Sequence, residues 1–243
     1  MKMEKEVFIK LLIDKAKENN ININGKQAEK MYQYKELLIE WNEKINLTAI
    51  TDDKDIIVKH FVDSLLCVEY INEKESIIDV GTGAGFPGII IAIYFEGKVN
   101  ITLLDALQKR VKFLNTIIES LKLTNIKVVH SRAEELAHKE EYREVYDTAI
   151  ARAVAPLNIL LEYLSGYTKV GGKCICLKSL SVDEEINSSK KASEILNVEL
   201  EKNIKKIVKH KEDLTRTILI FNKIKNISSK YPRSFGKIKK SPL

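Results

Sequence analysis

The sequence is poor in cysteine and contains no long apolar run. Its three cysteines are an odd number, and Cys174 and Cys176 alternate with apolar residues on a predicted strand, which indicates small buried residues and not disulfide partners or metal ligands. No stretch approaches the ~18 consecutive apolar residues of a membrane span. The amino terminus mixes charged and apolar residues at helical spacing and lacks the apolar core of a secretory signal. We therefore expect a cytoplasmic protein that binds no metal and no membrane.

The composition is that of a folded protein with an excess of positive charge. With 44% apolar and 30% charged residues over 243 positions, the chain can bury a sizeable core. The net charge of +6 permits an anionic partner without demanding one.

The positive charge is concentrated at the end of the chain. Residues 223–243 contain seven basic residues and no acid. A solvated, disordered end has this composition too. Aromatic residues lie between the basic ones and favour RNA instead, with phosphate contacts and base stacking. The candidate RNA contacts in this segment are Tyr231, Arg233, Lys237, Lys239 and Lys240.

Two periodicities divide the chain. Over the first seventy residues apolar residues recur every three or four positions, which predicts a helical segment. From residue 76 short β-type runs alternate with longer helical runs, which predicts βαβ units in a doubly wound, mostly parallel sheet. The predicted strands are 77–80, 99–104, 126–129, 147–151 and 173–177, and the predicted helices are 88–95, 109–121 and 156–167. Late runs at 204–208 and 217–221 have no comparable helix between them, which is compatible with an antiparallel hairpin at the sheet edge.

These patterns predict an α/β fold with seven strands and a small N-terminal helical cap. The predicted units are the cap over residues 1–72, a ligand-binding α/β domain over residues 73–224, and a basic C-terminal tail over residues 225–243. The chain has no internal repeat and no low-complexity segment. We expect a monomer.

The stretch DVGTGAGFPG at residues 79–88 places four glycines directly after the first predicted strand. In an open α/β sheet, ligands bind beyond the carboxyl ends of the strands, and the loop after the first strand is the usual place. Glycine there lets the backbone turn tightly or approach a ligand closely. A tight turn without a ligand is the alternative. The candidate ligand-binding residues of the loop are Asp79, Gly81, Gly83 and Gly85.

Acidic residues after the next two strands favour an adenosine-containing ligand. Asp105 ends the second predicted strand, where a carboxylate can accept hydrogen bonds from a ribose, although it could instead cap the following helix. Ala133 and Glu134 follow the third strand, where adenine would lie, and a solvated first-turn residue is the alternative for Glu134. Asp79 would be poorly placed beside a pyrophosphate but suits an ammonium and a sulfonium. We therefore favour S-adenosylmethionine over a nicotinamide dinucleotide.

Seven motifs spread over nearly the whole chain resemble those of one family. They are WNEKINLTAI (41–50), HFVDSL (60–65), DVGTGAGFPG (79–88), LLDALQKRVKFL (103–114), SRAEE (131–135), ARAVAPL (151–157) and KYPRSFGKIKKSPL (230–243). The glycine loop is common to many methyltransferases, whereas GAGFPG, the WN…NLT box, the RAVA box and the YPR tail in this order are specific. By these motifs the chain resembles the RsmG (GidB) family. That family usually has LLDS where this chain has LLDA, which leaves Asp105 in place.

The resemblance implies a fold and an activity. It implies a Rossmann-like class I methyltransferase that methylates N7 of one guanine of bacterial 16S rRNA, guanine 527 in the usual numbering, with S-adenosylmethionine as cofactor. The substrate would be free 16S rRNA, an assembly intermediate or the 30S ribosomal subunit. The cofactor contacts that the resemblance implies are Gly81, Phe86, Ala133, Glu134 and Arg152.

Transfer to guanine N7 requires no general base, because that nitrogen has a free lone pair and no proton to lose. The apparatus of other base methylations is missing: no proline precedes a cysteine, and ARAVAP stands where an Asn/Asp-Pro-Pro-aromatic box would be. Ribose 2′-O methylation is the runner-up, with Lys178 as its lysine. It fails on position, because Asp147 starts the fourth strand and Arg152 ends it. Lys178 is then a candidate RNA contact.

Four polar residues have unsettled roles. No residue is assigned as a catalytic acid or base, and Arg152 is the one candidate for a direct role, through the cofactor carboxylate or an RNA phosphate. A structural salt bridge is the alternative for it. Asn46, His60 and Asp63 lie in the helical segment, where hydrogen-bonded structural roles are favoured.

Two other functions are compatible with parts of the sequence. A non-catalytic rRNA-binding or assembly protein would retain the glycine loop and the basic tail but would transfer no methyl group. A nicotinamide-dependent oxidoreductase would share the glycine pattern of the loop.

Overall fold

The computed structural model describes residues 3–152, 155–179 and 182–243, and a seven-stranded sheet lies at its centre. The strand order is β3-β2-β1-β4-β5-β7-β6, with β1 to β5 parallel and β7 antiparallel to both of its neighbours. The strands are β1 (Ser76–Val80), β2 (Asn100–Asp105), β3 (Ile126–His130), β4 (Tyr146–Arg152), β5 (Thr168–Lys178), β6 (Val198–Val208) and β7 (Leu214–Lys223). The predicted doubly wound, mostly parallel sheet is therefore confirmed. Ala153 and Val154 of the ARAVAPL motif lie outside the described residues.

Helices precede the sheet and flank it. The α-helices are α1 (Lys5–Glu18), α2 (Gly25–Ile45), α3 (Asp53–Ile56), α4 (Asp63–Leu65), α5 (Gly88–Phe95), α6 (Gln108–Ser120), α7 (Ala133–Leu136), α8 (Leu157–Ser165), α9 (Asp183–Ser188), α10 (Lys190–Ile195) and α11 (Phe235–Lys240). A π-helix at Ile57–Val62 joins α3 to α4, and a 3-10 helix covers Val68–Tyr70. Within the described residues, no helix combines the length and the apolar character needed to cross a membrane.

The central strands are buried on both faces, as βαβ units require. Neighbouring strand residues enter opposite cores: Ile77 and Ile175 pack toward α5 and α6, whereas Ile78 and Cys176 pack toward α8. Cys174 and Cys176 are free and buried, as predicted, and burial raises the pKa of the Cys174 thiol to about 11.

The N-terminal helices share one of these two cores. A capping box starts α2, in which Asn24 and Gln27 each accept a backbone hydrogen bond from the other. The buried face of α2 packs against α5 and α6, and the Gln27 side chain donates a hydrogen bond to the Tyr94 carbonyl at 2.7 Å. The predicted helical character is confirmed up to Tyr70. The division into a cap over 1–72 and a domain over 73–224 stays a prediction.

The predicted hairpin exists and is longer than its sequence signal. β6 has 11 residues and β7 has 10, whereas the sequence indicated only five residues of each, 204–208 at the turn end of β6 and 217–221 within β7. β6 lies at the sheet edge with most of its side chains exposed, so the sequence VELEKNIKKIV carries little apolar alternation. The short helices α9 and α10 between β5 and β6 were not predicted.

The C-terminal segment (residues 225–243) packs against the α/β core. Ile227, Tyr231 and Ile238 are buried beside α8 residues. Arg143 donates hydrogen bonds to several backbone carbonyls of the segment, at 2.9 Å to that of Tyr231. The alternative of a solvated, disordered end therefore does not describe this part of the chain.

Candidate functional site

A cleft of about 460 Å³ opens at the carboxyl ends of β1, β2 and β4. This is the sheet edge at which parallel α/β folds bind ligands, and β1 lies at the point where the strand order reverses. Five parts of the chain line it: the glycine loop, the end of β2 with the residues that follow, the segment after α2, the π-helix through His60, and the end of β4 through Arg152. The lining residues are Leu47, Thr48, His60, Gly81, Thr82, Gly83, Ala84, Phe86, Asp105, Ala106, Leu107, Arg110 and Arg152.

The glycines of the loop serve different purposes. Gly83 has φ +62°, and a Cβ added to it would meet nothing closer than the Gly81 carbonyl oxygen at 4.0 Å. Gly85, at φ +100°, faces the Tyr34 hydroxyl, which a Cβ would approach to 2.9 Å. A Cβ on Gly88 would lie 2.7 Å from Asp79 Oδ2. Gly85 and Gly88 are therefore required by packing, whereas Gly83 leaves open space for a ligand.

Asp79 is fully buried and holds the glycine loop through two hydrogen bonds. Its Oδ2 accepts hydrogen bonds from the Thr82 hydroxyl at 2.5 Å and from the Gly88 backbone N–H at 2.8 Å. Its Oδ1 is buried and has no hydrogen-bond partner in the described structure. Burial raises the pKa of Asp79 to about 6, against the two hydrogen bonds, which lower it. Asp79 is not among the described residues that line the cleft, so its contact with a cationic ligand group stays a prediction.

Asp105 lines the cleft and accepts three hydrogen bonds, while the N-cap position of α6 is Leu107, and the contact of Asp105 with a ribose stays a prediction. Its Oδ1 accepts a hydrogen bond from the Leu107 backbone N–H at 2.9 Å, close to the start of α6. Its Oδ2 accepts one from the Gly83 backbone N–H at 2.9 Å and another from Arg110 at 3.4 Å. A carboxylate has about four acceptor positions, so these three bonds leave capacity for a ribose hydroxyl.

Arg152 ends β4 and takes part in an ion pair while it lines the cleft. Its Nη1 lies 2.9 Å from Asp63 Oδ2, and Arg216 of β7 contacts the other carboxylate oxygen through Nε at 2.6 Å. The guanidinium carbon of Arg152 lies 4.8 Å from the centre of the Phe86 ring. The structural salt bridge therefore exists, and two arginines on one carboxylate leave a net positive charge at this end of the cleft.

His60 belongs to the cleft, although the sequence left its role unassigned. Its ring stacks on Phe86, with centroids 4.4 Å apart and an interplanar angle of 16°. Its Nε2 lies 2.9 Å from the Thr48 hydroxyl oxygen, and its Nδ1 lies 3.3 Å from Arg152 Nη2. Burial, reinforced by the Arg152 charge, lowers the pKa of His60 to about 3. The imidazole is neutral at physiological pH.

The WN…NLT motif explains how Thr48 reaches the cleft. Asn46 ends α2 in the left-handed conformation (φ +50°), which turns the chain away from the helix axis. The Asn42 side chain then accepts a hydrogen bond from the Thr48 backbone N–H at 2.8 Å. Seven lining residues were not predicted, although each lies inside one of the recognised motifs: Leu47, Thr48, Thr82, Ala84, Ala106, Leu107 and Arg110. Asn46 itself is exposed and does not line the cleft.

Four predicted cofactor contacts lie apart from the cleft lining: Asp79, Gly85, Ala133 and Glu134. Ala133 and Glu134 begin α7, where the Ala133 carbonyl accepts a hydrogen bond from the Tyr167 hydroxyl at 2.5 Å and Glu134 is buried. Neither is among the residues that line the cleft. Their role beside adenine stays a prediction.

The predicted RNA contacts fall into two groups. Lys178 donates to Glu185 at 2.6 Å and to the Ala155 carbonyl at 2.8 Å, Tyr231 is buried, and Arg233 forms a two-pronged ion pair with buried Glu162 at 2.7 and 2.9 Å. These placements favour structural roles. The exposed members of the prediction are Lys237, Lys239 and Lys240 on α11. They lie on the helix that starts with Phe235, whose exposed ring contacts Arg132 at 5.4 Å.

Comparisons with known proteins agree with one another. A family model described as GidB, rRNA small subunit methyltransferase G, matches residues 27–215. The protein named ribosomal RNA small subunit methyltransferase G of Alkaliphilus metalliredigens is 44% identical over 249 residues, covering 99% of this chain and 100% of the relative. Its namesake in Acetivibrio thermocellus is 47% identical over 242 residues, covering 99% of each.

A solved structure shares the fold at low sequence identity. M. jannaschii TYW2 in complex with AdoMet matches with a TM-score of 0.50 and 19% identity, over 63% of this chain and 71% of that one. The likeness is one of fold, and with the strand order it confirms the predicted Rossmann-like, class I methyltransferase architecture.

Proposed function

The chain belongs to the GidB family, and from this premise we propose that it transfers the methyl group of S-adenosylmethionine to N7 of a single guanine of 16S rRNA, guanine 527 in the usual numbering. One observation carries the proposal: a cleft with a glycine cradle for a nucleoside contains, among its described lining residues, no lysine and no histidine with a free ring nitrogen to accept a proton. We place the protein, as a monomer, in the cytoplasm with its RNA substrate.

The residues present fit S-adenosylmethionine. The open space at Gly83 accommodates a ligand against the loop backbone, and Asp105 retains acceptor capacity for a ribose hydroxyl. The unpartnered Oδ1 of Asp79 suits the positively charged methionyl part. When bound, the cofactor supplies an activated methyl group. The protein has to hold that group in line with the acceptor nitrogen and exclude competing geometries.

The cleft chemistry favours an acceptor that loses no proton. His60 is the one imidazole among the lining residues, and both of its nitrogens are engaged in hydrogen bonds. Its pKa of about 3 leaves it a weak base. Guanine N7 suits this environment, because its lone pair attacks directly. Ribose 2′-O methylation fits less well, since Lys178 is ion-paired to Glu185 and Asp147 lies at the opposite end of β4.

Methyl transfer to RNA tests the proposal directly. Unmodified 30S particles and free 16S rRNA are incubated with labelled S-adenosylmethionine, and the product is mapped by cleavage at N7-methylguanine. We expect label at a single guanine and its loss in Asp105→Ala. The matched control is Asp147→Asn, which alters a carboxylate bonded to Ser76 and Lys169 at the opposite end of the sheet and should retain activity.

The negative results separate the alternatives. Cofactor binding without label in either RNA, over a range of ionic strength, would replace the enzyme by an rRNA-binding protein. Label at an exocyclic amine or a ribose would retain the methyltransferase and reject the N7 assignment.

A further inference from the structure

The contacts of the Thr48 hydroxyl favour one polarity, in which it donates a hydrogen bond to a ligand. We assign His60 Nδ1 as the acceptor from Arg152 Nη2, 3.3 Å away, because a guanidinium nitrogen can only donate. In a neutral imidazole the hydrogen then resides on Nε2, which donates to Thr48 Oγ1 at 2.9 Å. Thr48 Oγ1 also accepts from the Ile50 backbone N–H at 3.0 Å. Both lone pairs of the hydroxyl are thereby used, and its hydrogen has no acceptor among the described residues.

The Thr48 hydroxyl differs from the other hydroxyl of the cleft in having its hydrogen free for a ligand. Two hydroxyl side chains line it, Thr48 and Thr82. The Thr82 hydroxyl donates to Asp79 and is committed to the loop. Thr48 comes from the N-terminal segment, next to the stacked rings of His60 and Phe86, whereas the contacts proposed for the ribose lie at Gly83 and Asp105. The unsatisfied hydrogen of Thr48 is therefore available to the acceptor base.

The purine edge beside N7 differs between guanine and adenine in one group. Guanine presents O6, an acceptor, whereas adenine presents an amino group, a donor. An ordinary hydroxyl would serve both, because it can donate or accept. A hydroxyl whose lone pairs are already occupied can pair with O6 but not with an amino group.

We propose that the Thr48 hydroxyl donates a hydrogen bond to O6 of the acceptor guanine and thereby selects guanine over adenine. This inference rests on the proposed function, because it assumes a purine whose N7 faces the methyl donor. Thr48 is a specificity-determining residue in this assignment, and Arg152 and His60 are positioning residues that fix its polarity. Thr48 takes no part in bond making, so its loss should affect the choice and alignment of the base.

The test combines a protein change with a substrate change. Ligated 16S rRNA carries either guanine or 2-aminopurine, which keeps N7 but lacks O6, at the methylated position. Wild type, Thr48→Val and Thr48→Ser are compared by kcat/KM on both RNAs. We expect Thr48→Val to lower kcat/KM about tenfold on guanine, the effect of one lost hydrogen bond, and to leave 2-aminopurine nearly unchanged. Thr48→Ser should retain the preference for guanine.

Two controls distinguish a loss of base recognition from a structural effect of the substitution. Thr116→Val makes the same change on the exposed face of α6, where the hydroxyl donates to the Lys112 carbonyl, and should alter neither RNA. Binding of S-adenosylhomocysteine, measured by calorimetry, should be the same for wild type and Thr48→Val.

Each other result overturns the assignment. An equal loss on both RNAs in Thr48→Val would make Thr48 structural, and no loss on guanine would remove it from recognition. Weakened S-adenosylhomocysteine binding with an unchanged guanine preference would assign the hydroxyl to the cofactor. Failure of the wild type to label guanine RNA would instead refute the proposed function, on which the assignment depends.

Discussion

Cofactor binding should weaken as the pH falls through about 6, because Asp79 must be ionised to hold a cation. Burial raises the pKa of this carboxyl to about 6 in the ligand-free protein. A cationic group beside the unpartnered Oδ1 favours the ionised form and lowers the pKa, so binding below pH 6 releases a proton. At pH 5 about one Asp79 in ten is ionised, and the Kd for S-adenosylmethionine should be about tenfold higher than at pH 7.5.

The raised pKa of Asp79 has the opposite effect on the stability of the ligand-free protein, which it increases at low pH. A carboxyl whose pKa is raised by folding stabilises the folded state below its unfolded pKa, near 4. That contribution is lost as the pH rises through 6, at a cost of about 3 kcal/mol. The cofactor should therefore raise the melting temperature more at pH 7.5 than at pH 5.

Calorimetric titration at pH 5, 6 and 7.5, in buffers of different ionisation enthalpy, measures both the affinity and the proton released. Asp79→Asn should bind S-adenosylmethionine weakly and without this pH dependence. 5′-Methylthioadenosine lacks the ammonium and the sulfonium, so it serves as the matched ligand and should bind equally at all three pH values. An affinity for S-adenosylmethionine that is constant from pH 5 to 7.5 would refute the role of Asp79.

Three further changes separate ligand contacts from packing. Gly83→Ala should abolish cofactor binding measured by calorimetry, while it lowers the free energy of unfolding by only about 1 kcal/mol, the strain of a positive φ. Gly88→Ala should lower the free energy of unfolding by about 1–3 kcal/mol, because its Cβ meets Asp79. Equal behaviour of the two variants would contradict this division. Glu162→Gln leaves Arg233 without its buried partner, so it should lower the free energy of unfolding by about 3 kcal/mol in denaturant titration and expose residues 231–243 to protease. The control Glu199→Gln changes an exposed carboxylate and should do neither. Replacing Lys237, Lys239 and Lys240 together by Gln should weaken RNA binding and reduce its salt dependence. The control replaces the exposed Lys190 and Lys191 of α10 by Gln. The same effect from the control would show that only net charge matters.

The parts of the fold that were predicted correctly are those with a strong local signal. The strands β1, β2 and β4 are mostly buried, so their apolar runs mark them, and the glycine loop indicated the position of the cleft. β6 was half missed because an exposed edge strand has no apolar alternation to detect.

The candidate site was predicted where it is contiguous in sequence and missed where the fold assembles it. Asp79, Gly83 and Asp105 follow strand ends, a location that the chain itself indicates. Thr48 depends on the left-handed turn at Asn46 and on a partner twelve residues away, neither of which is visible in composition. Arg233 and Tyr231 appeared suited to RNA, because nothing in the local sequence reveals the buried Glu162 that holds Arg233 or the core that covers Tyr231.

The carboxylate of Asp63 has a consequence for the order of events during synthesis. It is held by Arg152 and Arg216, which follow it by 89 and 153 residues along the chain. Contacts of such long sequence separation form late, because the intervening chain must first be ordered. The cleft therefore acquires its final charge arrangement only after residue 216 of 243 has emerged from the ribosome.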